Sequence, residues 1–140
     1  MQTFIFLIII LISIVNLQAE EISIEQFRWE NRLVIYYISE DELEKYDMPK
    51  MVLENKDKVI DRDMLFFDLN QKDKGDYFMS LSASESKRLI DKYKIEPGKT
   101  AFILIGKDGG EKERLSEPNV DYFFNKIDQM PMRINEMNGL

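Results

Sequence analysis

Residues 101–115 read Ala101-Phe102-Ile103-Leu104-Ile105-Gly106-Lys107-Asp108-Gly109-Gly110-Glu111-Lys112-Glu113-Arg114-Leu115, and this stretch decides the fold. Its first five residues are apolar at successive positions. A strand of that kind has both faces covered, so helices are required on both sides of its sheet. Asp108-Gly109 directly after the run is a strong hairpin signal. The returning segment, Lys112-Glu113-Arg114-Leu115, is so charged that it belongs at a sheet edge, where charge discourages further pairing.

Two more runs of strand length lie upstream: Leu33-Val34-Ile35-Tyr36-Tyr37-Ile38 and Met64-Leu65-Phe66-Phe67-Asp68-Leu69. Between the runs stand helix signals. Ser39-Glu40-Asp41-Glu42 has the form of a capping box with an acidic first turn. It predicts a helix that starts there, is disturbed near Pro49 and resumes to about Val59. Ser82-Ala83-Ser84-Glu85 is a second capping box, followed by Leu89, Ile90 and Tyr93 on one face and a stop at Pro97-Gly98. A third helix follows Pro118, with Asn119 as its cap. Its stripe is Val120, Phe123, Phe124, Ile127 and Met130. Asn135 to Leu140 read as a frayed end. The element order is β-α-β-α-β-β-α, with the first two strands parallel through a right-handed crossover. That is an α/β, thioredoxin-like order, expected to give a mixed four-stranded sheet with helices on both faces.

The chain has 140 residues, 26 acidic and 19 basic side chains, a net charge of −7, no cysteine and no histidine. One domain fits that length. The composition excludes a catalytic thiol, a disulfide framework, a Cys/His zinc site and any imidazole base. The acid excess argues against nucleic acid as a partner. No cofactor and no metal is expected. Asp68-Leu69-Asn70-Gln71-Lys72-Asp73 begins like a calcium loop, but Lys72 and the lack of glycine at its sixth place break the pattern.

Residues 1–19 carry no charge, and Phe4 to Val15 is almost unbroken apolar sequence. That run is short for a bilayer span, which needs about 20 apolar residues. It fits a signal peptide over residues 1–19, with Leu17-Gln18-Ala19 as cleavage signal and 20–140 as the folded domain. The expected address is outside the cytoplasm, periplasmic or extracellular. A membrane contact arises only if the segment stays uncleaved.

Three segments carry a family likeness: Phe27-Arg28-Trp29-Glu30-Asn31-Arg32-Leu33, Phe102 to Gly110, and Ile127-Asp128-Gln129-Met130-Pro131-Met132-Arg133. Together they resemble the secreted peroxiredoxin-like or thioredoxin-like domain of unknown function called P-DUDES. That domain occurs in bacterial exported proteins and in vertebrate matrix proteins of the sushi-repeat and coiled-coil-domain type. The likeness spans residues 25–137. It implies a thioredoxin-like fold, export and no established catalysis. In such a fold the thiol sits where the first strand meets the first helix. Here that place is Ser39-Glu40-Asp41-Glu42-Leu43, without sulfur and crowded with carboxylates that disfavour a thiolate. Thr100 holds the place before the third strand where fold members carry a cis-proline.

Strand directions bring the start of the first strand, the hairpin turn and the end of the last helix to the pole opposite the missing thiol. Arg28, Trp29, Arg32, Lys107, Asp108, Met132 and Arg133 are therefore the candidate binding surface. Two readings stand. In one, the pole is structural: Trp29 covers the sheet end, Arg28 or Arg32 pairs with Asp108 or Asp128 or stacks on Trp29, and Met130 and Met132 fill gaps. In the other it is a recognition surface, since Trp, Arg and Met are enriched at interfaces. The expected function is a non-catalytic binding or interaction module, redox-inactive for want of cysteine. Its partner would be an envelope or extracellular protein or a surface polymer. The alternative is an enzyme of unrecognised type acting on an anionic substrate through Arg28, Arg32, Lys107 and Asp108.

Overall fold

The computed structural model describes residues 21–140, so the expected signal segment lies outside the described residues. A short 3₁₀ helix, Ile24–Phe27, leads into β1 (Arg32–Tyr37). Two short helices follow, α1 (Met48–Glu54) and α2 (Lys56–Asp61), then β2 (Met64–Asp68), α3 (Ala83–Lys92), β3 (Ala101–Ile105), β4 (Glu111–Leu115), α4 (Val120–Asp128) and α5 (Pro131–Met137). The sheet has four strands in the order β2-β1-β3-β4. β1 runs parallel to β2 and antiparallel to β3, and β4 is the antiparallel edge. This is the thioredoxin-like arrangement expected from the order of elements. Among the described residues no helix is long and apolar enough to cross a membrane.

Successive strand residues point to opposite faces, and each face carries its own core. Val34, Tyr36, Phe66, Phe102 and Leu104 pack with Met48, Val52, Val59, Phe123, Phe124 and Ile127 from α1, α2 and α4. Leu33, Ile35, Phe67, Ile103 and Ile105 pack with Leu89 of α3, with Tyr93 at its C-cap and with Ile24. Every residue of β3 is buried, which is what its unbroken apolar run requires. The charged edge strand β4 is half exposed.

Two caps sit where sequence patterning puts them. Ser82 accepts the Glu85 N–H at the start of α3, and Asn119 accepts the Tyr122 N–H at the start of α4. The expected cap at Ser39 is a correction. Residues 40–45 form turns rather than a helix, with the Glu42 N–H on the Ser39 carbonyl. The helix begins at Met48, where Asp47 accepts the Lys50 N–H. Pro49 therefore starts the helix rather than disturbing it, since its fixed φ and missing N–H suit the first turn. The interruption falls instead at Asn55. Asn135 to Leu140 is also corrected: α5 continues to Met137, so this segment is ordered helix for half its length.

These assignments separate two serines that look alike in sequence. Ser82→Ala is expected to lower stability by about 1 kcal/mol, read as a drop in the urea midpoint. Ser39→Ala is expected to leave helix content, measured by far-ultraviolet circular dichroism, unchanged.

Candidate functional site

The pole at which β1 starts is built by four chain segments. β1 and β2 start together there, with Arg32 in register with Met64, while β3 ends there with Ile105 opposite Leu33. After Ile105 the chain turns tightly. The Gly106 N–H bonds the Gly110 carbonyl at 2.9 Å and the Gly109 N–H bonds the Gly106 carbonyl at 2.9 Å. Gly109 has φ +83°, a left-handed conformation that favours glycine. The Asp108 carboxylate accepts the Gly110 N–H at 2.9 Å and the Lys112 ammonium at 2.7 Å. Hydrogen bonds from Lys112 and Gly110 hold this carboxyl below the usual range. The Trp29 N–H donates to the Lys107 carbonyl at 2.6 Å, tying the entry to β1 onto the turn.

The chemistry of the pole centres on Glu136. Arg32 is only 1% exposed, and its two terminal nitrogens bond the Glu136 carboxylate at 3.1 and 3.2 Å. Lys107, 9% exposed, donates to Glu136 at 2.7 Å and to Asp63 at 2.8 Å. A second cluster adjoins it. Arg133, 5% exposed, bonds the Asp128 carboxylate at 3.1 Å and the Asp61 carbonyl at 2.8 Å, and pairs with the Asp61 carboxylate. Arg62 bonds both oxygens of Asp128, at 3.1 and 2.7 Å. Buried charge is tolerated only when paired and hydrogen-bonded. Burial pushes the Glu136 carboxyl up, but hydrogen bonds from Arg32 and Lys107 outweigh it and hold the group below its ordinary value. Asp128 behaves the same way: burial raises it, and hydrogen bonds from Arg62 and Arg133 bring it below normal.

The three expected segments do meet; the stacking of Arg28 on Trp29 is as expected, and the pairing of Arg32 is not. Arg32 takes Glu136 rather than Asp108 or Asp128. Arg28 stacks on Trp29, its guanidinium carbon 5.1 Å from the ring centroid, and pairs with no carboxylate among the described residues. Trp29 does not cover the sheet end; it is 59% exposed. Its φ of +72° and its tether to Lys107 hold it on an exposed turn, and the sheet end is closed by Arg32, Lys107 and Glu136 instead. Arg133 is the buried residue of α5. The residues that sequence reasoning missed are Glu136, Asp61, Arg62 and Asp63. A signal existed for one: Arg133 and Glu136 stand three apart, on one helix face.

A groove of about 630 Å³ opens at this pole between the hairpin turn and the α4–α5 junction. Arg32, Lys107, Asp108 and Met132 all line it, with Lys112, Lys126 and Met130. A second hollow of about 300 Å³ holds Arg28, Asn31, Lys92 and Tyr93. Gly106 and Asp108 line both, so the turn is the wall between them. Arg28 is thus parted from Lys107 and Met132.

At the other pole, where β1 ends, Ser39, Glu42 and Thr100 form a polar clamp. The Ser39 N–H donates to the Thr100 hydroxyl at 3.0 Å, and the Glu42 carboxylate accepts from Thr100 and from the Ser39 hydroxyl. The calcium-like stretch has another use. Asp68 accepts backbone N–H bonds from Asn70, Lys72 and Asp73 at 2.8, 2.8 and 2.7 Å, fixing the loop after β2. Among the described residues no cluster of His, Cys, Asp or Glu is arranged to hold a metal ion.

Residues 23–136 match the family described as Domain of unknown function (DUF4174). No curated protein matches the chain. Among solved structures it is similar to Plasmodium yoelii thioredoxin peroxidase I, at 19% identity, TM-score 0.58, over 85% of this chain and 82% of that one. It is also similar to the reduced 2-Cys peroxiredoxin of Plasmodium vivax, at 16% identity, TM-score 0.55, over 84% and 85% of the two chains. At such identities the likeness concerns the fold.

The buried carboxylates make the pole acid-sensitive. Because the folded values of Glu136 and Asp128 lie below those of the unfolded chain, their contribution is present above about pH 4.3 and is lost as pH falls through the lowered values. Glu136→Gln is expected to destabilise the protein at pH 7 by about 3 kcal/mol and to flatten the acid limb of a plot of urea-unfolding free energy against pH.

Proposed function

The chain belongs to the DUF4174 family, and from that footing we propose that it is an exported, non-catalytic binding module of the P-DUDES type. Its partner, an envelope or extracellular protein or a cell-surface polymer, docks at the pole of the Gly106–Gly110 turn. The export reading rests on the uncharged residues 1–19 and the apolar run Phe4 to Val15.

The observation that carries the binding reading is the groove of about 630 Å³, lined by lysine and methionine side chains and set in a pole braced by buried ion pairs. A rigid frame with adaptable side chains at its surface suits recognition, because little ordering cost remains when a partner arrives. The enzymatic alternative draws less support. Arg32 and Lys107 are committed to Glu136 and Asp63, and Asp108 to Lys112. Bound in this way, none is free to act as a base. The chain has no cysteine with which to run the thiol peroxidase chemistry named for the structures it resembles.

The test is chemical crosslinking in intact cells, with capture through a tag on the chain. Met132→Asp combined with Lys126→Glu changes the groove surface without touching the buried pairs. The double variant, folded by circular dichroism, is expected to capture its partner at least about tenfold less well than the unaltered chain. Equal capture would remove the groove from the account.

A further inference from the structure

The groove departs from the rest of the molecule in charge. Arg32, Lys107, Lys112 and Lys126 line it against Asp108 and Glu111 alone, in a chain whose net charge is −7. Pairing uses these cations unevenly. An ammonium has three N–H donors, and Lys107 gives one to Asp63 and one to Glu136. Arg32 uses its terminal nitrogens on the Glu136 carboxylate and the Arg62 backbone carbonyl, while its buried Nε has no partner among the described residues. Buried guanidinium N–H groups are rarely left unmet. Lys126 has only Glu113, at 3.8 Å, a surface contact that holds it loosely. Unspent donors therefore remain on two side chains at least nine-tenths buried, with a loosely held ammonium beside them.

The other lining is apolar. Met130, Pro131 and Met132 follow one another along the α4–α5 junction, and Met132 is 40% exposed. Thioether side chains adapt to irregular apolar ligands. A volume of about 630 Å³ falls in the range of small-ligand sites.

We infer that this groove takes a carboxylate carried on an apolar body, its head by Lys107 and Lys126 and its body along Met130 and Met132. The inference rests on the reading of this pole as a binding surface and names what it binds. Asp63, Asp108 and Glu136 already offset much of the cationic charge. A dianionic phosphate would meet repulsion from these carboxylates, whereas a monoanion adds one charge, and contact with methionine supplies the rest of the affinity. A fatty acid and a peptide ending in apolar residues share this chemistry.

Calorimetric titration of the purified chain separates the sources. The probes are hexanoate, octanoate, octanol, N-acetyl-Leu-Leu-Leu and its C-terminal amide. Affinity is expected to rise about fourfold per added buried methylene, and octanoate and the tripeptide acid are expected to bind at least tenfold tighter than octanol and the amide respectively. Binding of octanoate assigns a lipid source, and binding of the tripeptide acid a peptide source; either supports the inference. Lys126→Glu is expected to weaken the bound acid at least tenfold. No binding by any acid, equal binding by the uncharged forms, or an unaffected Lys126→Glu variant would overturn it. If partner capture in cells depends on Met132 and Lys126 while none of the three acids competes, the carboxylate inference falls and the binding-module reading stands. If capture is also unaffected by those substitutions, both fall.

Discussion

The carboxylate of Glu136, held between Arg32 and Lys107, is the contact on which this pole depends. It joins the last helix to the start of the first strand and to the hairpin turn, three pieces of chain far apart in sequence. Each cation is almost wholly buried, so neither could stay charged in place without an anion beside it. Asp61, Asp63 and Asp128 extend the same logic to Arg62, Lys107 and Arg133. The result is a sheet end closed by paired charge, where apolar covering by Trp29 would be the simpler solution. It leaves Trp29 exposed and stacked with Arg28, and it leaves a groove beside the turn.

The two poles of the sheet have thus diverged in chemistry. At one, Ser39, Glu42 and Thr100 satisfy one another's hydrogen bonds, and the acidic surroundings suit neither a thiolate nor a bound anion. At the other, cations gather against the negative average of the chain. A thioredoxin-like frame supports this division because function resides in the groups placed at its ends rather than in the fold itself.

Much of the frame is legible from local pattern. Ala101 to Ile105 must be covered on both faces, and it is. Ser82 and Asn119 cap the helices their neighbours imply. Asp108-Gly109 makes the turn, because a left-handed residue is needed there and glycine supplies it. Ser39 misleads because a capping box is a local motif with a nonlocal competitor: its N–H goes to the Thr100 hydroxyl and its hydroxyl to the Glu42 carboxylate, and Asp47 with Pro49 starts the helix instead. The meeting of the pole's segments follows from strand direction. Their pairing does not, because an ion pair between Arg32 and Glu136 spans almost the whole domain and leaves no local trace. A stretch such as Asn135 to Leu140, polar and terminal, has the composition of a frayed end; only its long-range contacts show that one of its residues closes the sheet.

A double-mutant cycle across Arg32 and Glu136 measures the central contact most directly. Arg32→Met, Glu136→Met and the double variant are compared by urea unfolding at neutral pH. Glu136→Met leaves the buried Arg32 without a carboxylate, Arg32→Met leaves Glu136 with Lys107 as its close cation, and the double change removes both members of the pair. The account predicts a coupling of at least about 2 kcal/mol, the double variant being far more stable than the summed losses imply. Losses that simply add, to within about 0.5 kcal/mol, would contradict it.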